Sequence, residues 1–279
     1  MARAPGGRGR HPPALKKFGQ HFLTDEKILT AIVDALAPTS ADTVVEIGPG
    51  RGSLTDLLVE RSGRLIAVEI DRALSVQLRE RYHGRTNIEI VEGDFLEADL
   101  RGVAGEDFLL IGNVPYNITT PIVFRALEPP IPRRSVFLVQ REVAERMAAR
   151  EDTESYGALS VNVAAVAKVE QVLAVPASAF RPPPKVESAV VRLTPRAQPL
   201  VAVEFLPAFR AFVQAAFGLR RKQMQRVLRT ARGLSPDSAS ALLSRAGIDP
   251  AARPEVLSPE TFAILFRLLS STATERDVS

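Results

Sequence analysis

Apolar and β-branched residues gather in short runs through the first half of the chain, and stretches with helical spacing lie between them. Residues 43–47, 65–70, 88–91, 108–111 and 135–139 have the length and composition of buried strands. Residues 53–61, 73–81, 121–127 and 142–149 read as helices, with Pro121 in a tolerated first-turn position. Upstream, Thr24 or Asp25 can cap a helix over 26–36. Alternation of this kind predicts an α/β unit with a mostly parallel sheet.

The pattern then changes. Residues 159–167 are apolar without a decisive period and suit either a helix or a buried strand. Residues 172–175 and 188–193 are short strand candidates on either side of FRPPPKVES. Beyond about residue 200 only helices are predicted, over 204–232, 238–245 and 259–269. The expected organisation is a flexible basic arm over 1–17, an α/β unit over 18–200 and a small all-helical unit over 201–279.

Composition narrows the options. The 279 residues are 46% hydrophobic and 24% charged, which suits a folded chain with a sizeable core. There is no cysteine, so disulfides and cysteine-ligated zinc are excluded. The three histidines, His11, His21 and His83, have no metal-ligand spacing, and no metal is expected. The longest apolar-leaning run, 158–175, is interrupted by Asn162, Lys168, Glu170 and Gln171, so no membrane span is expected. A cytoplasmic monomer fits these features.

Chemistry enters at the strand ends. The first predicted strand runs into Gly48-Pro49-Gly50-Arg51-Gly52, where glycines permit a sharp turn and close approach of a ligand. In open α/β sheets, ligands bind at the carboxyl ends of the strands. The second strand ends at Glu69-Ile70-Asp71, about 20 residues on, where a carboxylate can accept ribose hydroxyls. The third ends at Gly93-Asp94-Phe95, and its carboxylate can accept from an adenine amine. A glycine loop alone is equally a tight turn. With acids after two successive strands, the set resembles the S-adenosylmethionine (SAM) pocket of class I methyltransferases.

The fourth strand ends in Asn113-Val114-Pro115-Tyr116. Taken alone, this is also an ordinary turn sequence. Beside a SAM pocket it has a chemical use. The N6 lone pair of adenine is delocalised into the ring, and methyl transfer requires that nitrogen to become more tetrahedral. Two acceptors aimed at its hydrogens favour the change: the Asn113 side-chain oxygen and the Val114 carbonyl. Pro115 restricts where that carbonyl points. Tyr116 offers a flat face to an extruded base.

Across nearly the whole chain, the motifs resemble the ribosomal RNA adenine N6,N6-dimethyltransferases, in particular the bacterial small-subunit group. The stretches are KKFGQHFL (16–23), VVEIGPGRGSLT (44–55), AVEID (67–71), EGDF (92–95), GNVPYNITTP (112–121), QREVAERM (140–147), YGALSV (156–161), FRPPPKVESAVVRL (180–193) and AFGLRRKQ (216–223). The resemblance implies a Rossmann-like class I fold, SAM as cofactor, and dimethylation of two adjacent adenosines near the 3′ end of 16S rRNA in the immature 30S subunit. It implies cofactor contacts from Gln20, His21, Leu23, Gly48, Gly50, Glu69, Ile70, Asp94, Phe95 and Asn113. Glu69 would take the ribose and Asp94 the adenine of SAM. Phe180 would face the target base opposite Tyr116. Three positions depart from the family pattern: Val114 where leucine is common, His21 where asparagine is frequent, and Arg226 where asparagine is expected.

Charge is concentrated at the ends. Arg3, Arg8, Arg10, Lys16 and Lys17 are unopposed in residues 1–20, while Arg210, Arg220, Arg221, Lys222, Arg226, Arg229 and Arg232 face only Glu204 within 204–232. Such clusters suit RNA phosphates, with Lys185, Arg220, Arg221, Lys222 and Arg226 as candidate contacts. Competing readings are a macrolide-resistance-type enzyme acting on 23S rRNA, a ribosome-assembly or transcription factor that does not methylate, and a DNA adenine methyltransferase. GQHFL, FRPPPKVES and RRKQ favour the small-subunit enzyme over the first.

Overall fold

A computed structural model describes residues 21–276. The expected basic arm over 1–17 and Gln20 lie outside the described residues. A short strand β1 (Phe22–Leu23) leads into α1 (Glu26–Leu36), whose start is fixed by Asp25 accepting from the amides of Lys27 and Ile28. Then follow β2 (Thr43–Ile47), α2 (Thr55–Arg61), β3 (Arg64–Glu69), α3 (Arg72–Arg81), β4 (Ile88–Glu92), α4 (Leu100–Ala104), β5 (Leu109–Asn113), α5 (Thr119–Arg125), β6 (Arg134–Gln140) and α6 (Arg141–Ala148). The remainder is α7 (Ala158–Ala164), β7 (Ala167–Val175), β8 (Phe180–Arg181), β9 (Ser188–Pro195), α8 (Leu206–Gly218), α9 (Met224–Arg232), α10 (Pro236–Arg245) and α11 (Pro259–Arg276).

Seven strands form one sheet in the order β4-β3-β2-β5-β6-β9-β7. The run from β4 to β6 is parallel, while β9 pairs antiparallel with both β6 and β7. The order reverses beside β2, so the carboxyl ends of β2, β3 and β5 open onto one crevice. A second, two-stranded sheet pairs β1 with β8, Phe22 opposite Arg181 and Leu23 opposite Phe180. It brings the start of the described chain onto the proline-rich loop, a pairing of residues far apart in sequence.

Three expectations are corrected. The undecided run 159–167 is both elements in turn, with α7 ending at Ala164 and β7 beginning at Ala167. The single helix expected over 204–232 is two, because α8 stops at Gly218 and α9 starts only at Met224. Arg210, counted in the basic cluster, is instead paired with Glu128 at 3.0 Å and stacked on Phe124. It thereby joins α8 to the segment after α5. The apolar core runs without a break from the sheet into these helices, from Val45 and Phe137 to Phe209, Phe212 and Phe262. Tyr156 reinforces the junction by donating to the Leu257 carbonyl at 2.7 Å.

One polar group inside the sheet fixes the loop that follows it. Glu46 in β2 is buried, and the Thr55 hydroxyl at the start of α2 donates to its carboxyl at 2.8 Å. The glycine loop is thus spanned at its base by a side-chain bond. Burial pushes the Glu46 carboxyl up to about 8, against a smaller lowering by Thr55. Glu46 therefore binds a proton in the folded state that the unfolded chain releases above its ordinary value of 4.5. Its contribution to stability falls as pH rises from about 4.5 and levels off above about 8. Glu46→Gln removes this titration. Its stability gain over the parent should grow between pH 5 and pH 8, by on the order of a few kcal/mol. Denaturant melts at several pH values measure this, and a pH-independent difference would contradict it.

Candidate active site

The crevice at the carboxyl ends of β2, β3 and β5 is lined by His21, Phe22, Leu23 and Leu29 on one side. The glycine loop from Gly48 to Leu54, without Gly52, forms the floor together with Glu46. Glu69, Ile70 and Asn113 to Tyr116 complete the wall. Its empty volume, open mouth included, is about 830 Å³.

The glycine loop takes its shape from backbone that only glycine adopts freely. Gly48 and Gly50 have φ of +59° and +58°. A Cβ on Gly50 would lie 3.1 Å from the Phe22 ring, while one on Gly48 would meet nothing within 4 Å. Phe22 thus closes tightly over Gly50, with the Arg51 guanidinium 4.1 Å from its ring centroid. Open space remains above Gly48.

Glu69 holds the opposite edge. One carboxylate oxygen accepts the Gly50 amide at 2.9 Å, and the other accepts the Asp71 amide at 2.9 Å. Burial raises the Glu69 carboxyl above its usual range, and the bonds to these amides oppose that rise. A carboxylate offers about four acceptor positions, so capacity is left for a ribose hydroxyl. Next to it Ile70 is 49% exposed, an apolar surface on which a nucleobase can lie.

Asn113 is the last residue of β5, opposite Leu138 of β6. Its Nδ2 donates to the His21 carbonyl at 3.0 Å. A carbonyl can only accept, so this bond fixes which way the amide faces and turns Oδ1 away from His21. The Val114 amide donates to the Leu138 carbonyl at 3.2 Å, and Pro115 follows with φ −56° and ψ 132°. The peptide carrying the Val114 carbonyl is therefore held from both sides. The Tyr116 hydroxyl bonds Ser188 Oγ at 2.6 Å, and its ring stacks on the His21 imidazole, centroids 5.9 Å apart.

The sequence-predicted set is only partly brought together. His21, Leu23, Gly48, Gly50, Glu69, Ile70 and Asn113 to Tyr116 share the cleft. Asp94 and Phe95 do not line it. Asp94 is half-buried and accepts the Leu96 amide at 2.9 Å, while the Phe95 ring is packed into the core. Phe180 does not line the cleft either; its ring is fully buried, with Leu23, Val33 and Leu36 in its cluster. The residues missed are Phe22, Leu29, Glu46, Pro49, Arg51, Ser53 and Leu54. Glu46 had a signal, a lone carboxylate in the apolar strand TVVEI.

Away from the cleft, Arg221, Lys222, Arg226 and Arg229 are exposed along the α8–α9 turn and α9. Arg226 and Arg229 line a shallow concavity with Thr230, Gly233 and Leu234. Arg220 differs from its neighbours, since it is bonded to Glu255 at 2.6 Å. Lys185 is exposed in the proline-rich loop. Among the described residues there is no cluster that could hold a metal ion, and no helix long and apolar enough to cross a membrane.

These features have close counterparts. The chain is 40% identical over 279 residues to the ribosomal RNA small subunit methyltransferase A of Acidobacterium capsulatum, covering 95% of this chain and 98% of that one. It is 44% identical over 248 residues to the protein of the same name from Thiobacillus denitrificans, covering 88% and 94%. Among solved structures it is similar to a dimethyladenosine transferase from Plasmodium falciparum, with TM-score 0.76, 25% identity and coverage of 91% and 98%. It is also similar to the 23S rRNA methyltransferase ErmE, with TM-score 0.68, 33% identity and coverage of 89% and 99%. The fold is that of the class I SAM-dependent methyltransferases, as the sheet order and the crevice at its switch point require. The family model for ribosomal RNA adenine dimethylase matches residues 14–271, from before the cleft to the last helix, and the chain belongs to that family.

Proposed function

We propose that this protein transfers methyl groups from SAM to the N6 amines of two adjacent adenosines near the 3′ end of 16S rRNA, each twice. The observation that carries this reading is the Asn113 amide, turned by the His21 carbonyl so that Oδ1 is left for a substrate amine. Small-subunit rather than large-subunit rRNA is favoured because the relatives at 40% and 44% identity are named small-subunit enzymes.

SAM, when bound, supplies an electrophilic methyl group on a sulfonium. Glu69 suits its ribose, with Gly50 and Asp71 amides holding the carboxylate in place. Gly48 leaves room for the methionine part, and the exposed Ile70 would offer its side chain to the adenine. The half-buried Asp94 is assigned the adenine amine from the family pattern. Phe95 contributes main chain only, since its ring is buried. The chain's own chemical work is to orient N6. Asn113 Oδ1 and the Val114 carbonyl accept its two hydrogens and hold the lone pair towards the methyl group. The C–N bond would form with that pair as the methyl–sulfur bond breaks, its electrons staying on sulfur to leave S-adenosylhomocysteine, and one N6 hydrogen would then pass to water as a proton.

The helical part, taken as residues 201–279, is assigned to rRNA docking through Arg221, Lys222, Arg226 and Arg229, together with Lys185 of the proline-rich loop. Arg220 is assigned a structural share of its charge because of Glu255. The protein acts as a cytoplasmic monomer on an incompletely assembled 30S particle, where the target adenosines are open to extrusion.

Methyl transfer from labelled SAM to unmethylated 30S subunits, 50S subunits and free 16S rRNA tests this, with the modified bases identified by mass spectrometry. Dimethyladenosine in the small-subunit RNA is expected. Asn113→Ala should lower kcat by about 10²–10³ with the affinity for S-adenosylhomocysteine little changed. Label in 50S-derived RNA would contradict the reading. For docking, Arg221→Gln and Arg226→Gln should each weaken 30S binding and reduce the slope of log K against log salt by about 1. An unchanged slope would remove those residues from the interface.

A further inference from the structure

The glycine loop is held from outside the cleft as well as from within. Arg81, the last residue of α3, donates from one guanidinium nitrogen to the Arg51 carbonyl at 2.9 Å. A second nitrogen of the same group pairs with Asp56 in the first turn of α2. The Tyr82 hydroxyl donates to the other Asp56 oxygen at 2.7 Å. We infer that Arg81, aimed by Asp56 and Tyr82, is a positioning residue for the cofactor, acting through the loop backbone on Glu69. This rests on the reading of Glu69 as the ribose ligand given above.

The path is a series of bonds through two peptide planes. The peptide between Arg51 and Gly52 has its carbonyl on Arg81, and its amide donates to the Pro49 carbonyl at 2.9 Å. The peptide between Pro49 and Gly50 has its carbonyl on Gly52, and its amide donates to Glu69 at 2.9 Å. Each plane is thus fixed at both ends, with Glu69 at one end of the series and Arg81 at the other. Helix α3 closes the circuit. Its cap, Asp71, gives its amide to the second Glu69 oxygen, and Arg81 stands at the far end of its 10 residues. One helix therefore spaces the group that takes the ribose and the group that holds the loop.

Exposure separates aiming from stability. The side chains of Arg81 and Asp56 are 42% and 44% exposed, and an ion pair so open to water adds little to folding. What the pair does is point the guanidinium at the Arg51 carbonyl. Tyr82 is buried, and burial, together with its bond to Asp56, pushes its hydroxyl above the usual range, so it stays a donor. Gly52 leaves the space in which these groups close on the loop. A Cβ there would lie 3.1 Å from the Tyr82 hydroxyl and 3.2 Å from the Arg81 guanidinium. A neighbouring pair supplies the comparison. Arg85, just after α3, is bonded to Glu60 of α2, and among the described residues neither side chain bonds to the loop.

Arg81→Met removes the donor and keeps an unbranched side chain. It should raise Kd for S-adenosylhomocysteine and KM for SAM by about ten-fold, the scale of one lost hydrogen bond to a charged group. The melting curve, kcat at saturating SAM and KM for unmethylated 30S subunits should hold. Arg81→Lys restores a cationic donor and should recover part of the loss. Asp56→Asn keeps an acceptor for Tyr82 but loses the ion pair, and should weaken cofactor binding in the same direction. Arg85→Gln should bind like the parent. Parent-like affinity in both Arg81→Met and Asp56→Asn overturns the inference. An equal loss in Arg85→Gln also overturns it, because packing of α2 against α3 would then be the cause. If Glu69→Ala binds S-adenosylhomocysteine like the parent, the ribose assignment falls and the role of Arg81 falls with it; if Glu69→Ala loses affinity, only Arg81 is at stake.

Discussion

The amide of Asn113 has four hydrogen-bonding positions and needs one arrangement of them. The bond from Nδ2 to the His21 carbonyl supplies that arrangement. It crosses from the end of a central strand to a segment 92 residues earlier, so it exists only if the β1–β8 pair, the sheet and the proline-rich loop are all in place. Without it the amide could turn either face to a substrate amine, and in one of the two orientations a donor would meet a donor. The remaining architecture can be understood as support for that one bond and for the Val114 carbonyl beside it.

That support comes in two layers. The parallel strands deliver Gly48, Glu69 and Asn113 to one crevice because each strand end points the same way and the order reverses there. Hydrogen bonds then fix the loops against each other. Thr55 binds Glu46 across the base of the glycine loop, Glu69 binds Gly50 and Asp71, and Tyr116 binds Ser188. Each bond joins two different elements, so the site is rigid where it must aim acceptors.

Much of this could be read from the sequence. The strands at 43–47, 65–70 and 135–139 were legible because β-branched runs bounded by turn residues are strong local signals, and the observed limits agree within about a residue. The glycine loop, Glu69 and Asn113 to Tyr116 followed from strand ends alone. Asp25 capped its helix as its side chain allows. What failed was non-local. The burial of Phe180 could not be read from its proline-rich stretch, because it follows from β8 pairing with Leu23 and joining a cluster drawn from elements far away in sequence. The run 159–167 has no decisive period because α7 and β7 are both buried where they meet. Gly218, a helix-ending residue in the middle of 204–232, was a local signal that the uniform helical spacing outweighed. Arg210 and Arg220 looked unopposed because their acids, Glu128 and Glu255, lie far away in sequence.

The geometry of the acceptors is the central claim, and a crystal structure with S-adenosylhomocysteine and a short rRNA fragment carrying the target adenosines reaches it most directly. The account predicts Asn113 Nδ2 still on the His21 carbonyl, with Asn113 Oδ1 and the Val114 carbonyl both within hydrogen-bonding distance of N6, roughly 2.7–3.2 Å. A target amine met by neither oxygen, or an Asn113 amide turned away from His21, would contradict it.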